Sequence, residues 1–95
     1  MLRGYKVLDR NAWLFGYELD LVVRRGRKLA FVEVKAKRDG RFGDPVEMVG
    51  PEKQRRLRHA ADAWLTDHPE LAGLETSFEI VALHDRRLER LKEAF

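Results

Sequence analysis

Two short runs, residues 19–23 and 29–34, are mostly apolar and rich in β-branched residues, a pattern that is typical of β-strands. Both runs are rich in valine and leucine, and Gly26 and Arg27 lie between them. Glycine accepts the positive φ that the first position of a tight turn requires. The pattern therefore predicts a β-hairpin with its loop at Gly26 and Arg27.

The register of this hairpin brings two carboxylates together. Counting outward from the loop, Asp20 lies opposite Glu33, and Glu18 lies opposite Lys35. Opposed residues have Cβ atoms about 4.5 to 5.5 Å apart, and two carboxylates at about 5 Å repel by roughly 3 kcal/mol at an effective dielectric constant of about 20. A divalent cation, a shared proton or a salt-bridged cluster would relieve this repulsion, and the pattern alone leaves these alternatives open.

Alternation also assigns the apolar side chains to two faces of the hairpin. The face of the acidic pair receives Val22, Leu29 and Phe31. The opposite face receives the remaining apolar residues: Leu19, Leu21, Val23, Ala30, Val32 and Val34. Neither face is therefore expected to be fully exposed to solvent.

The rest of the chain predicts further strands and one helix. An opening strand is expected near Val7, with a turn at residues 9–11, and a later strand at residues 78–83. Residues 88–95 favour a short edge strand followed by a turn, with a short helix as the alternative. Pro51 suits the first turn of a helix that ends near His68. The apolar stripe of this helix has helical spacing and consists of Leu57, Ala60, Ala61, Trp64 and Leu65.

Polar residues at the helix start and in the preceding loop are candidates for binding an anion. Lys53 and Gln54 lie at the edges of the inward stripe, where they would face a phosphate or a metal-bound water; solvated surface residues are the alternative. Residues 37–50 predict a flexible, glycine-rich loop. This loop is either a flap over a nucleic acid or a disordered segment.

Composition indicates a single globular domain and argues against a membrane-spanning or disulfide-stabilised protein. Its 95 residues, 44% of them hydrophobic, predict a single domain, residues 1–95, in the cytoplasm. No apolar run is long enough for a membrane span, and the absence of cysteine excludes disulfides and thiolate metal sites. The charged fraction of 37% resembles that of thermophile proteins.

Charge is distributed unevenly along the chain. Residues 1–38 carry ten Lys and Arg against four Asp and Glu, whereas residues 60–95 carry four against eight. A basic surface beside a carboxylate pair suits a polyanion, and the alternative is an ordinary solvated surface. Tyr5, Trp13 and Tyr17 either stack on nucleic-acid bases or belong to the core.

Four motifs in order resemble those of a known family. The motifs are Gly16-x-Glu18-Leu19-Asp20-Leu21-Val22, Phe31-Val32-Glu33-Val34-Lys35, Arg41-Phe42-Gly43-x-Pro45 and Pro51-x-Lys53-Gln54-x-Arg56-Leu57. The chain, from about Gly4 to Phe95, resembles the YraN-like bacterial proteins of the PD-(D/E)xK superfamily, which are similar to archaeal Holliday junction resolvases. The resemblance implies an α/β restriction-endonuclease-like fold, with a mixed sheet of about four to five strands and a helix after the hairpin.

The resemblance also implies roles for individual residues. Asp20 and Glu33 would bind Mg²⁺ or Mn²⁺, and Lys35 would be the catalytic lysine. Gln54 would belong to the catalytic group by supporting these three residues, and Glu18 is an accessory candidate. Nucleic-acid contacts are expected from five basic residues: Lys37, Arg38, Arg41, Lys53 and Arg56.

The function that the resemblance implies is metal-dependent hydrolysis of DNA, rather than RNA, with branched or damaged DNA as candidate substrates. The alternative is a catalytically silent nucleic-acid-binding module of the same fold, and a plain assembly domain is a third. Members of the family that it resembles usually begin with a helix that carries a glutamate, and Met1 lies where that helix should end. Either the start of the chain is misassigned or truncated, or the native protein lacks this helix. A sheet without this cover is expected to be buried in a homodimer.

Overall fold

The computed structural model describes residues 4–14, 16–36, 50–84 and 87–94, with only the backbone for residues 36, 82–84 and 87–94. Five strands form one mixed sheet in the order β1-β2-β3-β4-β5. They are β1 (Lys6–Leu14), β2 (Tyr17–Arg25), β3 (Lys28–Ala36), β4 (Glu75–His84) and β5 (Arg87–Ala94). Helix α1 (Pro51–Thr66) and a short 3₁₀ helix (Pro69–Leu71) lie between β3 and β4 in the chain. This arrangement confirms the predicted restriction-endonuclease-like class.

The predicted hairpin is present in the expected register. Strands β2 and β3 pair from Arg25–Lys28 to Leu21–Val32, and Gly26 adopts a φ of 59°, which glycine accepts without steric cost. Strand β3 lies at the centre of the sheet and pairs in parallel with β4. A parallel connection requires a crossover, which contains α1.

Helix α1 covers one face of the sheet. Pro51 occupies its first turn, as predicted, and its buried residues are Leu57, Ala60, Ala61 and Trp64. These residues form one cluster, here called the helix-side cluster, with the sheet residues Leu19, Val22, Leu29 and Phe31 and with Leu71. A second cluster on the sheet contains Val23, Ala30, Val32 and Val81. The two clusters confirm that both faces of the hairpin are packed.

Two details differ from the predictions. No turn interrupts residues 9–11, because β1 runs continuously from Lys6 to Leu14. Leu19 packs in the helix-side cluster instead of the opposite face, with only 1% of its surface exposed. The register passes from Arg10–Leu21 to Ala12–Leu19, and Asn11 between them has a φ of 52°. Leu19 and Val22 are three residues apart and both pack in the helix-side cluster, so the side-chain alternation of β2 is interrupted between them.

The C-terminal segment forms a strand rather than a helix, and this strand, β5, pairs antiparallel with β4. It continues from Arg87 to Ala94, so the turn expected after a short strand is not present in these residues. The predicted loop at residues 37–50 lies outside the described residues, except for Gly50. No helix in the described part of the chain is long and apolar enough to cross a membrane.

A hydrogen bond between β1 and α1 supports a first prediction. Trp64 is 2% exposed, and its Nε1 donates to Asp9 Oδ2 at 3.0 Å. Asp9→Ala leaves this buried N–H without its acceptor, so we expect the free energy of unfolding to fall by about 1–3 kcal/mol. Asp9→Asn keeps an acceptor oxygen and should lose less than half as much. Urea unfolding measures both variants, and equal losses would contradict a stabilising role for the hydrogen bond.

Candidate functional site

The acidic pair lies where β2 and β3 diverge. The described ladder ends at Leu21–Val32, one residue before the predicted Asp20–Glu33 pair. Beyond that point, the Val34 N–H donates to Asp20 Oδ2 at 2.8 Å. The Val34 N–H has no partner in the described β2–β3 ladder, and the Asp20 carboxylate accepts its hydrogen bond instead. This bond holds the carboxylate between the two strands.

Glu33 is the buried acidic residue at the centre of this site. It is 8% exposed, and three side chains from three elements contact its carboxylate. Its Oε1 lies 3.0 Å from Lys53 Nζ and 3.4 Å from Lys35 Nζ, while its Oε2 accepts a hydrogen bond from the Tyr17 hydroxyl at 3.0 Å. A buried carboxylate is stable only when it is paired and hydrogen-bonded, and these contacts meet that requirement.

The two lysines at Glu33 differ in their proton affinity. Burial and the adjacent Lys53 ammonium lower the pKa of Lys35. Burial also acts to lower the pKa of Lys53, but its contacts with Lys35 and Glu33 outweigh burial and raise it. Lys35 is therefore the one of the two whose proton is held less tightly.

The groups around Glu33 respond to its negative charge. Burial, followed by the Glu33 charge, raises the pKa of Asp20, although the Val34 N–H bond acts in the opposite direction. Burial and the Glu33 carboxylate also raise the pKa of Tyr17 well above its usual value. Tyr17 is therefore a protonated donor at neutral pH, and it holds Glu33 in one orientation.

The raised pKa of Asp20 predicts how stability depends on pH. A carboxyl group whose folded-state pKa is raised contributes stability below its unfolded pKa, and this contribution is lost as the pH rises through the folded pKa. Asp20→Asn removes the charge and keeps an acceptor for the Val34 N–H. We expect this variant to be more stable than wild type at pH 7 and to have a higher Tm, because it removes the charge that the folded state disfavours.

Thermal unfolding at several pH values measures this effect. The advantage of Asp20→Asn should disappear as the pH falls toward about 3.9, the ordinary pKa of aspartate. Asp62→Asn, at an exposed position in α1, is the matched control and should show no such trend. A less stable Asp20→Asn protein at pH 7 would contradict the expectation.

The remaining predicted residues lie around this core. Gln54 is half-buried in the first turn of α1, and its backbone N–H donates to the Gly50 oxygen at 2.9 Å. Glu18 pairs with Trp13 of β1, and its charge contributes to raising the pKa of Asp20. The structure thus places Glu18 close enough to Asp20 for electrostatic coupling.

The predicted nucleic-acid-binding residues are only partly described. Arg56 is exposed, and its Nε lies 3.4 Å from Glu52 Oε1. A cleft of about 400 Å³ beside the site is lined by Tyr17, Gly50, Glu52, Lys53 and Arg56. Lys37, Arg38 and Arg41 lie outside the described residues.

Two contacts of the site were not predicted from sequence. Alternation placed Tyr17 on the face away from Glu33, but Tyr17 donates to Glu33 because the alternation of β2 is interrupted. Lys53 was assigned to nucleic-acid binding, and it contacts Glu33 directly. The inward position of Lys53 on the helical wheel was the available signal, whereas the hairpin pattern contained none for Tyr17.

The oxygen donors of the site are of the type that hard divalent cations prefer. No group of three or more His, Cys, Asp or Glu side chains that could hold a metal occurs among the described residues. Asp20 and Glu33 offer two carboxylates, and Mg²⁺ is often bound by one or two carboxylates together with water and substrate phosphates. The pair would therefore suffice for a metal that is completed by the substrate.

Comparison with known sequences identifies relatives across most of the chain. A family model described as "Uncharacterised protein family UPF0102" matches residues 1–83. A UPF0102 protein of Parvibaculum lavamentivorans is 44% identical over 89 residues, which cover 94% of this chain and 65% of the relative. A UPF0102 protein of Methylorubrum extorquens is 42% identical over 96 residues, which cover 100% of this chain and 73% of the relative. The chain thus spans about two thirds to three quarters of the length of these relatives.

Proposed function

The chain belongs to the UPF0102 family, the YraN-like endonuclease-like group, and we propose that it is a metal-dependent nuclease that hydrolyses phosphodiester bonds in DNA. One observation carries this proposal. The side chains of Asp20, Glu33 and Lys35 lie together where β2 and β3 diverge. The buried carboxylate of Glu33 lies at the centre of this group and is held by its contacts with Tyr17 and Lys53.

Each residue of the cluster has a role in this chemistry. Asp20 and Glu33 would hold Mg²⁺ or Mn²⁺, since both offer hard oxygen donors. When bound, the metal would polarise the phosphate and lower the pKa of the attacking water. The Lys35 ammonium would orient that water by donating a hydrogen bond to it, and its positive charge would offset the negative charge that develops at phosphorus.

Neighbouring residues position this group and the substrate. The Tyr17 hydroxyl fixes the orientation of Glu33 by donating to Oε2 at 3.0 Å. Lys53 and Arg56 line the adjacent cleft of about 400 Å³, where they would contact phosphates of the DNA strand. Gln54 lies in the same helical turn as Lys53, and we assign it the role of supporting the catalytic residues from the helix. Lys37, Arg38 and Arg41 complete the proposed nucleic-acid contacts.

Cleavage assays test the proposal. Supercoiled plasmid, linear duplex and a synthetic four-way junction are incubated with the protein and Mg²⁺ or Mn²⁺, and in parallel with a chelator. We expect cleavage of at least one substrate with either metal and none with the chelator. A preference for the junction would identify branched DNA as the substrate. Intact DNA under all conditions, with a protein shown to be folded, would exclude the nuclease.

A second candidate function is supported by the ion pairs of Glu33. Two ammonium groups lie 3.0 and 3.4 Å from one of its oxygens, so its charge is compensated by the protein itself. Such a cluster also fits a catalytically silent nucleic-acid-binding module. That module would bind DNA with strong salt dependence and would not cleave it with any metal. Self-association as a homodimer remains a prediction, which sedimentation velocity checks.

A further inference from the structure

A larger cleft lies at the other end of the hairpin from Glu33. Its volume is about 730 Å³, and we refer to it as the loop-end cleft. Tyr5, the hairpin loop and the segment before β4 enclose it. Its lining side chains are Tyr5, Arg25, Arg27, Lys28 and Glu75. Clefts of this size are typical of ligand sites.

Each of the two arginines of this cleft is exposed and makes a side-chain contact that restricts its orientation. The Arg25 guanidinium carbon lies 5.8 Å from the centre of the Tyr5 ring, which is within the range of a cation–π contact. Arg27 Nη2 donates to the Gly73 oxygen at 3.3 Å, and the Arg27 oxygen accepts from the Glu75 N–H at 2.9 Å. The conformational freedom of these guanidinium groups is therefore already reduced before a ligand binds. Less side-chain conformational entropy is lost when they contact it.

The lining is basic. Three cations, Arg25, Arg27 and Lys28, are opposed by one carboxylate, Glu75, so the formal charge of the lining is three minus one, or +2. Within the described residues, no carboxylate lies within 4.0 Å of any of these three cations. Apart from the Arg27 Nη2 bond to the Gly73 oxygen, these cations can therefore donate to an anion, and the planar guanidinium group matches phosphate oxygens in pairs.

The loop-end cleft is separate from the carboxylate site. Arg25 and Lys28 continue the strand face of Val23 and Ala30, which belong to the second cluster, whereas Glu33 contacts Lys53 of α1. Five residue steps of β3 separate Lys28 from Glu33, which is about 17 Å at about 3.3 Å per residue. A single phosphate cannot contact both sites.

We propose that the loop-end cleft is a second phosphate-binding site, which takes backbone phosphates of a nucleic-acid strand and anchors it away from the carboxylate cluster. The proposal rests on the nucleic-acid ligand of the proposed function, but it does not require cleavage. Free polyphosphates share the same chemistry, so the test separates a strand from a small ligand.

Fluorescence anisotropy with a labelled DNA duplex, in the presence of a chelator, tests the proposal independently of nuclease activity. The variant Arg25→Gln/Lys28→Gln removes two charges from the cleft. The control Arg10→Gln/Arg55→Gln removes two exposed charges outside both clefts. Thermal unfolding verifies that both variants are folded.

We expect the cleft variant to bind DNA about ten-fold more weakly than wild type, and the control less than two-fold more weakly. The slope of log K against log salt should decrease in magnitude by about 0.9 for each DNA phosphate that the variant no longer neutralises. Equal weakening by the control, an unchanged slope, or wild-type protein that does not bind DNA would overturn the proposal.

Inorganic pyrophosphate is the second probe. A site for a strand predicts that pyrophosphate competes with DNA only weakly and that its competition is reduced in the cleft variant. Tight pyrophosphate binding that the cleft variant loses, while its DNA affinity is unchanged, would instead assign the site to a free polyphosphate and overturn the assignment to a strand. Because no arm measures cleavage, a catalytically silent chain gives the same readout.

Discussion

Replacing Lys35 by methionine is expected to lower the rate of Mg²⁺-dependent DNA cleavage by at least about 100-fold, the usual loss when a positioned proton-transfer or charge-stabilising group is removed. Methionine keeps most of the length of the side chain and removes the ammonium that lies 3.4 Å from Glu33. Glu33→Gln should have an effect of similar size, because it removes a charged oxygen ligand while retaining the shape of the side chain.

Single-turnover cleavage separates this effect from DNA binding. The dissociation constant of a labelled duplex should change by no more than a few-fold in either variant, since the proposed anchoring residues are unaltered. Lys6→Met and Glu70→Gln, both at exposed positions away from the site, are the matched controls and should cleave as wild type does. Equal rates in Lys35→Met, Glu33→Gln and wild type would exclude this site from the chemistry.

Phe31→Ala should cause the largest loss of stability. Phe31 is fully buried, and its ring centre lies 5.8 Å from that of Trp64 and 5.6 Å from that of Phe78. It therefore joins β3, α1 and β4. We expect the free energy of unfolding to fall by about 3–5 kcal/mol, the usual cost of truncating a core phenylalanine. The resulting decrease in Tm is at least about 12 °C for a domain of this size.

Trp13→Ala is the control for Phe31→Ala. Trp13 is 69% exposed, so its truncation should change the free energy of unfolding by less than about 0.5 kcal/mol. Urea unfolding measures both variants. Phe31→Leu should fall between them, because it retains part of the apolar volume. A Phe31→Ala loss below about 1 kcal/mol would show that the aromatic cluster does not hold the sheet and helix together.

Local pattern was sufficient to predict most of the elements. The loop at Gly26 determines the hairpin register, because a tight turn leaves only one way to pair the residues on either side. Pro51 and the apolar spacing after it determine the position and inward face of α1. From these two facts the proximity of Asp20, Glu33 and Lys35 follows, and so does the inward position of Lys53.

Other features could not be predicted because they depend on contacts between distant parts of the chain. The side-chain alternation of β2 is interrupted between Leu19 and Val22, which pack in the same cluster, and no local signal in β2 reveals it. Leu19 and Tyr17 consequently lie on the helix side, where Tyr17 donates to Glu33. The loop-end cleft combines Tyr5, the hairpin loop and Gly73, and only the folded chain brings these residues together.

The sequence by itself determined which residues are candidates for binding an anion or a divalent cation and which strand positions they occupy, because turn geometry and periodicity act over a few residues. The tertiary structure decided how the charges are compensated. Whether Glu33 contacts one lysine or two depends on where α1 packs on the sheet, and Lys53 is 20 residues away from Glu33 in the chain. The packing of α1, set by the burial of its apolar face, therefore completes a site that the hairpin begins.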